Sequence, residues 1–382
     1  MEPGSAVSAV RRQRVFILPD SEASVQTAGK GPEDEKQLKH FTIHRNSIPS
    51  TTTLQNFHEK LRAATGQCFV DTAFWGGVIT GNKCFLIHSA VDEFPHVSDA
   101  DVHAAMKQLQ GTGSMPQFHA ERDVQHPAAE KGNPHEYSIF LRSRPGIMES
   151  AFSILIIRVR CHIVHLSSAQ PLEIIRSARK AGAPLTVETT HHYLNPCEEY
   201  IPACATQFKC CPLILDMHSN FNQFLCQELL CSALKAGDID MVVSGHSSCS
   251  GDFSQAWGGI SSLQFGLSLF WTSASKRGFS FVDAVRLLCR EPAQLCHLDN
   301  QKGSLIPGHD ADLIIWDPEK EFTVNEDKIH YKNKLTPHLG LALRGKVKAT
   351  IVRGKVVYSH GSFSSQALRK HLCIQHKTPA PL

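Results

Sequence analysis

Short runs rich in β-branched and aromatic residues alternate along the chain with longer segments in which apolar residues return every three or four positions. The strand-like runs are CFVDTAFW (68–75), NKCFLI (82–87), MPQFHAE (115–121), RCHIVHLS (160–167), LTVETT (185–190) and DIDMVVSGH (238–246). Helical spacing shows first in TLQNFHEKLRAATG, where Leu54, Phe57 and Leu61 share one face. It shows again in SDADVHAAMKQLQ, with Ser98 as N-cap and Asp101 three residues on, and in PLEIIRSARKAG, which Gly182 ends. Strands separated by helices run parallel, and this many right-handed crossovers over some two hundred residues suit a (β/α)8 barrel or a doubly wound sheet. No G-x-G-x-x-G opens a helix to favour the second.

The texture changes at both ends. From Gly303 the chain reads GSLIPGHDADLIIWDP and then GKVKATIVRGKVVYSHG, short Val/Ile strands with Gly turns that predict a small β module. Its natural partner is the VFIL run near the N-terminus. The expected organisation is a first β strand of that module within 1–20, a polar linker at 21–40, an α/β barrel at 41–302, the β module at 303–362 and a tail at 363–382.

Composition narrows the function classes. Hydrophobic residues make up 42% and charged residues 20%, as in a globular protein, and 39 basic against 36 acidic side chains give +3, too near neutrality to point to nucleic acid or an anionic membrane. No apolar run approaches the ~20 residues of a membrane span. The 13 Cys are scattered with no C-x-x-C pair, and no charged-then-apolar leader opens the chain, so reduced thiols in an intracellular compartment are expected, with cytoplasm as the default.

The 22 His are the more informative count, because several sit beside β-like runs. Lys83 lies in GNKCFL, His119 in QFHAE, His165 in IVHLSS, and Gly245-His246 follows VVS; each is read as a place where a strand leaves the barrel. The C-terminal strand ends of such a barrel converge on one mouth, so a Lys and two His there form a candidate metal site. Lys ligates no metal as an ammonium, and this reading requires its amine to be carbamylated. Each histidine taken singly also reads as a hydrogen-bonded core residue. Two other groups carry less. His40 and His44, if on one strand, stand about 13 Å apart, too far for one ion; Cys210-Cys211 in FKCCP has no partner at zinc spacing and reads as structural.

The blocks NSIPSTTT, DTAFWGG, KCFLIHSAVDEFPHV, CHIVHLSSA, PLTVETTHHYL, ATQFKCCP, GDIDMVVS, GDFSQAWGGISSLQFGL, KGSLIPGHDADLIIWDP and NKLTPHLG resemble allantoinases of the cyclic amidohydrolase superfamily, from about Asn46 to about Tyr358. The resemblance implies a metal-bearing (β/α)8 barrel with a small β-sandwich from both chain ends, and hydrolytic opening of allantoin to allantoate in purine degradation. It also implies two zinc ions bridged by a carbamylated lysine matching Lys83, the second completed by His119 and His165. His191-His192 and His246 match mouth positions, for which contacts behind the ligands, substrate contacts and structural hydrogen bonds all stay open; His192 and His246 are kept as candidates.

The other half of the family's site is not matched. The first metal takes an H-x-H pair from the first barrel strand, and none occurs before Asn46. It also takes the aspartate of S-D-H-S-P, the family's general base, where this chain has Ser244-Gly245-His246-Ser247-Ser248. The first strand therefore reads as missing, and the stretches before RVRCHIVHLSS and between Cys249 and Gly251 as shortened. The expectation is an allantoinase-type chain with one zinc site, weak or no turnover, a small cyclic ureide as partner and the homotetramer of related enzymes. The alternative is a noncatalytic binding or scaffold protein, a pseudoenzyme like the dihydropyrimidinase-related proteins that keep the barrel without its metals.

Overall fold

The computed structural model describes residues 14–16, 54–64, 83–87, 96–123, 133, 135–144, 146–150, 159–195, 201–214, 223–247, 251–253, 256, 258–331 and 334–364. The strand-like run 68–75, His40, His44, the linker at 21–40, the proposed absence of a first strand, the Lys83 side chain and nearly all of the tail lie outside them.

Five parallel strands form one sheet in strictly sequential order: β2 (Lys83–Phe85), β3 (Gln117–His119), β4 (Cys161–Ile163), β5 (Leu185–Thr190) and β6 (Met241–Val243), following β1 (Arg14–Phe16) in the chain. A doubly wound sheet reverses its order at a switch point, and this one does not, which is the barrel pattern. Beyond β6, His246 makes a parallel bridge to Ile260 and continues the sheet. The helix Asp99–Leu109 carries the predicted capping box of Ser98 and Asp101, and the helix Leu172–Lys180 stops just before Gly182, whose φ is +86°.

The register sorts the strands' residues onto two faces. Gln117 pairs with His162 and His162 with Thr186, while Glu188 pairs with Met241 and Thr190 with Val243. By the two-residue pleat, Gln117, His119, His162, Thr186, Glu188, Thr190, Met241 and Val243 share the barrel interior. Phe118, Cys161, Ile163, Leu185, Val187 and Val242 point outward and pack with Leu172, Ile175, Leu230 and Leu234 of the surrounding helices. Met115, Met241, Val243 and Leu295 form a small apolar cluster. The interior thus sets the polar side chains of β3, β4 and β5 against the apolar Met241 and Val243 of β6.

The second sheet is antiparallel, in the order β1-β7-β8-β9-β10, with β7 (Leu313–Thr323), β8 (Ala342–Val352), β9 (Lys355–Ser359) and β10 (Ser362–Phe363). Arg14–Phe16 pairs with Trp316–Ile314, so the two ends of the chain meet in one sheet. The helix Gly266–Ala274 joins it to the barrel: Ser268 Oγ donates to the Gly345 carbonyl at 2.6 Å, and Trp271 Nε1 to the Pro318 carbonyl at 3.0 Å. Ahead of β7 the buried Lys302 ammonium donates to Asp310 at 2.8 Å and to Asp312, and Asp312 also accepts the Arg353 N–H. No described helix is long and apolar enough to cross a membrane.

Candidate active site

His119 is the last residue of β3, and its side chain lies buried in the barrel interior. Its Nδ1 stands 3.0 Å from His165 Nε2, and the two rings meet edge to face with centroids 4.7 Å apart. On the far side of the ring, His119 Nε2 is 2.5 Å from Glu121 Oε2. Arg144 Nη1 donates to the same carboxylate oxygen at 2.7 Å. Burial by itself pushes the Glu121 carboxyl up, but the hydrogen bond and charge of His119 and those of Arg144 together outweigh it and hold Glu121 below the ordinary range.

His165 reaches the pair by an unusual backbone. It follows Ile163 by two residues, and simple continuation of the pleat would turn it outward with Ile163. Instead its φ is +44°, a left-handed conformation that costs a non-glycine residue about 1 kcal/mol and takes it out of the pleat, with its ring against His119. The following loop is tied down. The Glu149 carboxyl accepts the Ser167 N–H at 3.0 Å, the Ser168 N–H at 2.8 Å and the Ser167 hydroxyl at 3.1 Å. Burial pushes Glu149 up to about 8 against those donors, with the nearby Glu121 charge adding to the rise.

Lys83 was expected where a strand leaves the barrel, and its backbone instead begins one. It opens β2 and pairs with Gln117, two residues before the level of His119, because the regular strand runs on from it through Phe85. Deeper in the interior, His162 Nε2 and Glu188 Oε2 form a buried pair at 3.0 Å, with His162 Nδ1 2.8 Å from Thr186 Oγ1.

At the mouth, Gly245 has φ +53°. A Cβ there would stand 2.8 Å from the Thr190 methyl and 3.2 Å from His192 Cε1, so these three residues lie together. Thr190 Oγ1 is buried with no hydrogen-bond partner among the described residues. His246 serves the backbone: its Nδ1 accepts the N–H groups of Ser262 at 3.1 Å and Leu263 at 3.2 Å, which puts its ring proton on Nε2. Burial holds it down at about 4, neutral at physiological pH. His191, which burial and His338 hold down at about 3, is likewise neutral. Cys210 is buried and Cys211 half-buried, and neither is in a disulfide among the described residues.

Residues 269–358 match the model of the amidohydrolase family. The chain is similar to the allantoinase of Saccharomyces cerevisiae, with 38% identity over 351 residues that cover 83% of this chain and 74% of the yeast protein. The chain belongs to the allantoinase family. It is also 54% identical over 282 residues to the mitochondrial allantoinase of Aquarana catesbeiana, an alignment covering 66% of this chain and 57% of the frog protein. The chain thus spans little more than half the length of that relative and about three quarters of the yeast one. Among solved structures, the L-hydantoinase (dihydropyrimidinase) of Arthrobacter aurescens superposes with a TM-score of 0.78 at 22% identity, covering 94% of this chain and 88% of that one. The D-hydantoinase of Bacillus sp. AR9 gives 0.79 at 20% identity, with the same coverages. The shared fold is the (β/α)8 barrel with its β-sandwich.

Zinc, which the allantoinase family implies, can be tested against these donors. Two imidazole nitrogens 3.0 Å apart can both reach one ion at about 2.0–2.1 Å, and a carboxylate behind one of them is the usual support of a zinc-ligating histidine. The residues present fit. Among the described residues no third His, Cys, Asp or Glu completes a cluster. The expected His119 and His165 face each other, and Glu121, Arg144 and Glu149, which the sequence pattern did not single out, stand around them. Glu121 was within reach, since a residue two places beyond a strand-end histidine falls on the same face. Arg144 and Glu149 come from a stretch without a periodic signal, and only the folded chain brings them to the site.

Proposed function

We propose that this chain is a cyclic amidohydrolase of the allantoinase type, taking a small cyclic ureide such as allantoin at the barrel mouth, with one zinc site and weak or no turnover. The observation that carries the reading is the convergence of His119 Nδ1 and His165 Nε2. Lys83, carbamylated, would complete the ligand set with these two histidines. When bound, zinc supplies Lewis acidity toward a carbonyl or water oxygen.

The chain's own residues do the rest. His119 and His165 present ring nitrogens to one point; Glu121 bonds the His119 ring, and Glu149 ties down the loop that follows His165. His192, packed beside Gly245, and His246 are proposed to border the bound ureide. Ring opening also needs a group that takes a proton from water and returns it to the leaving nitrogen, and Gly245 has none at the position where the family carries its aspartate. Loss of such a group costs about 10²–10⁴-fold in rate. The noncatalytic reading, a binding or scaffold protein, draws support from the same residue, whose left-handed backbone is packed against Thr190 and His192. Assembly as a homotetramer belongs to the proposal as well.

Calorimetric titration of zinc into the metal-free chain, in bicarbonate buffer, tests the ligand set. The expected result is one site in the wild type and loss of most of that affinity in His165→Ala. Equal binding by both proteins would place zinc elsewhere and overturn the reading.

A further inference from the structure

Of the two facing histidines, His119 meets the buried carboxylate of Glu121, and the loop after His165 is held by a second, Glu149; the zinc reading uses neither as a ligand. We propose that Glu121, clamped by Arg144, is the positioning residue of this half-site: it takes the Nε2–H of His119 and so leaves Nδ1 as the nitrogen offered to an ion beside His165. The inference rests on the proposed zinc site for its consequence, while its geometry needs no ion.

A neutral imidazole carries one proton on one of two nitrogens, and an ionised carboxylate, which only accepts, selects the nitrogen that faces it. Glu121 Oε2 lies 2.5 Å from Nε2, and Glu121 is only 2% exposed, so water does not compete for that bond. The Arg144 guanidinium donates to the same oxygen at 2.7 Å, which gives the buried carboxylate its counter-charge and fixes its rotation. Arg144 ends the helix Tyr137–Ser143, and five residues later Glu149 accepts the Ser167 and Ser168 N–H groups, two and three residues after His165. One short stretch of chain thereby sets the tautomer of one histidine and the loop of the other. The pair is built in advance from residues that owe nothing to the unmatched half of the family's site.

The test uses the full chain and zinc ion alone. In the metal-free wild type at alkaline pH, nitrogen-15 NMR of the histidine side chains should place the His119 proton on Nε2; a proton on Nδ1 overturns the proposal. Glu121→Gln keeps the shape but no longer offers two accepting oxygens, and should lower zinc affinity by about 10–100-fold. Unchanged affinity in a folded Glu121→Gln protein, alongside loss in His165→Ala, overturns this inference and leaves the zinc reading standing. If Glu121→Gln does not fold, or if the wild type takes up no zinc, the tautomer measurement alone decides.

Discussion

Trp316→Ala is expected to destabilise the protein by about 3–5 kcal/mol, the range for emptying a large, fully enclosed aromatic site. Trp316 sits on β7 with no exposed surface, at the joint between the antiparallel sheet and the barrel. Its ring meets Trp271 edge-on with centroids 5.5 Å apart and Phe281 at 6.0 Å, while Trp271 and Phe281 stack on each other at 4.6 Å. Gly345 on β8 closes the remaining side: a Cβ there would come within 2.7 Å of the Trp316 ring, and its φ of +97° suits glycine alone. The surrounding groups belong to two helices and a strand, and the helix Gly266–Ala274 is hydrogen-bonded to both β7 and β8, so the cavity has little freedom to collapse. Urea unfolding with a lowered midpoint and an unchanged slope would show the effect. A loss below about 1 kcal/mol would mean that the joint repacks and that the two sheets are not coupled through this residue.

Gly245→Asp is expected to lower stability by about 2–4 kcal/mol and to restore no allantoin hydrolysis. Two costs add. A left-handed backbone costs an aspartate about 1 kcal/mol, and a Cβ 2.8 Å from the Thr190 methyl forces an overpacked mouth, worth about 1–3 kcal/mol more. The carboxylate would also arrive without the H-x-H pair it serves in the family, since no such pair precedes Asn46. Thermal unfolding and a ureide hydrolysis assay on the same variant check both halves. Turnover regained by this single change would sink the argument that the loop has settled around glycine.

The barrel was legible where local signals agreed. LTVETT matches β5 from end to end, because the Gly-Ala-Pro turn precedes it and a short helix follows. RCHIVHLS promised eight residues and yields three, because the left-handed backbone at His165 ends the pleat soon after Ile163. Nothing in the identity of a histidine announces a positive φ. The alternation of polar and apolar faces could be read from Gln117, His119 and Glu121, yet their role depends on Arg144 and Glu149 arriving from another part of the chain. The comparison of Gly245 with the family's aspartate rests on resemblance alone, whereas its packing against Thr190 and His192 shows only in the fold.

Elemental analysis of the purified, folded chain, with allantoin hydrolysis assayed on the same sample, tests the central claim most directly. A half-site held by His119 and His165 predicts about one zinc per chain, with turnover absent or at least about 10²-fold below that of an enzyme with its general base. Two metals per chain with full turnover would contradict it, and would mean that ligands from other residues replace the unmatched half. A metal-free chain without turnover would contradict the zinc site and leave the noncatalytic reading.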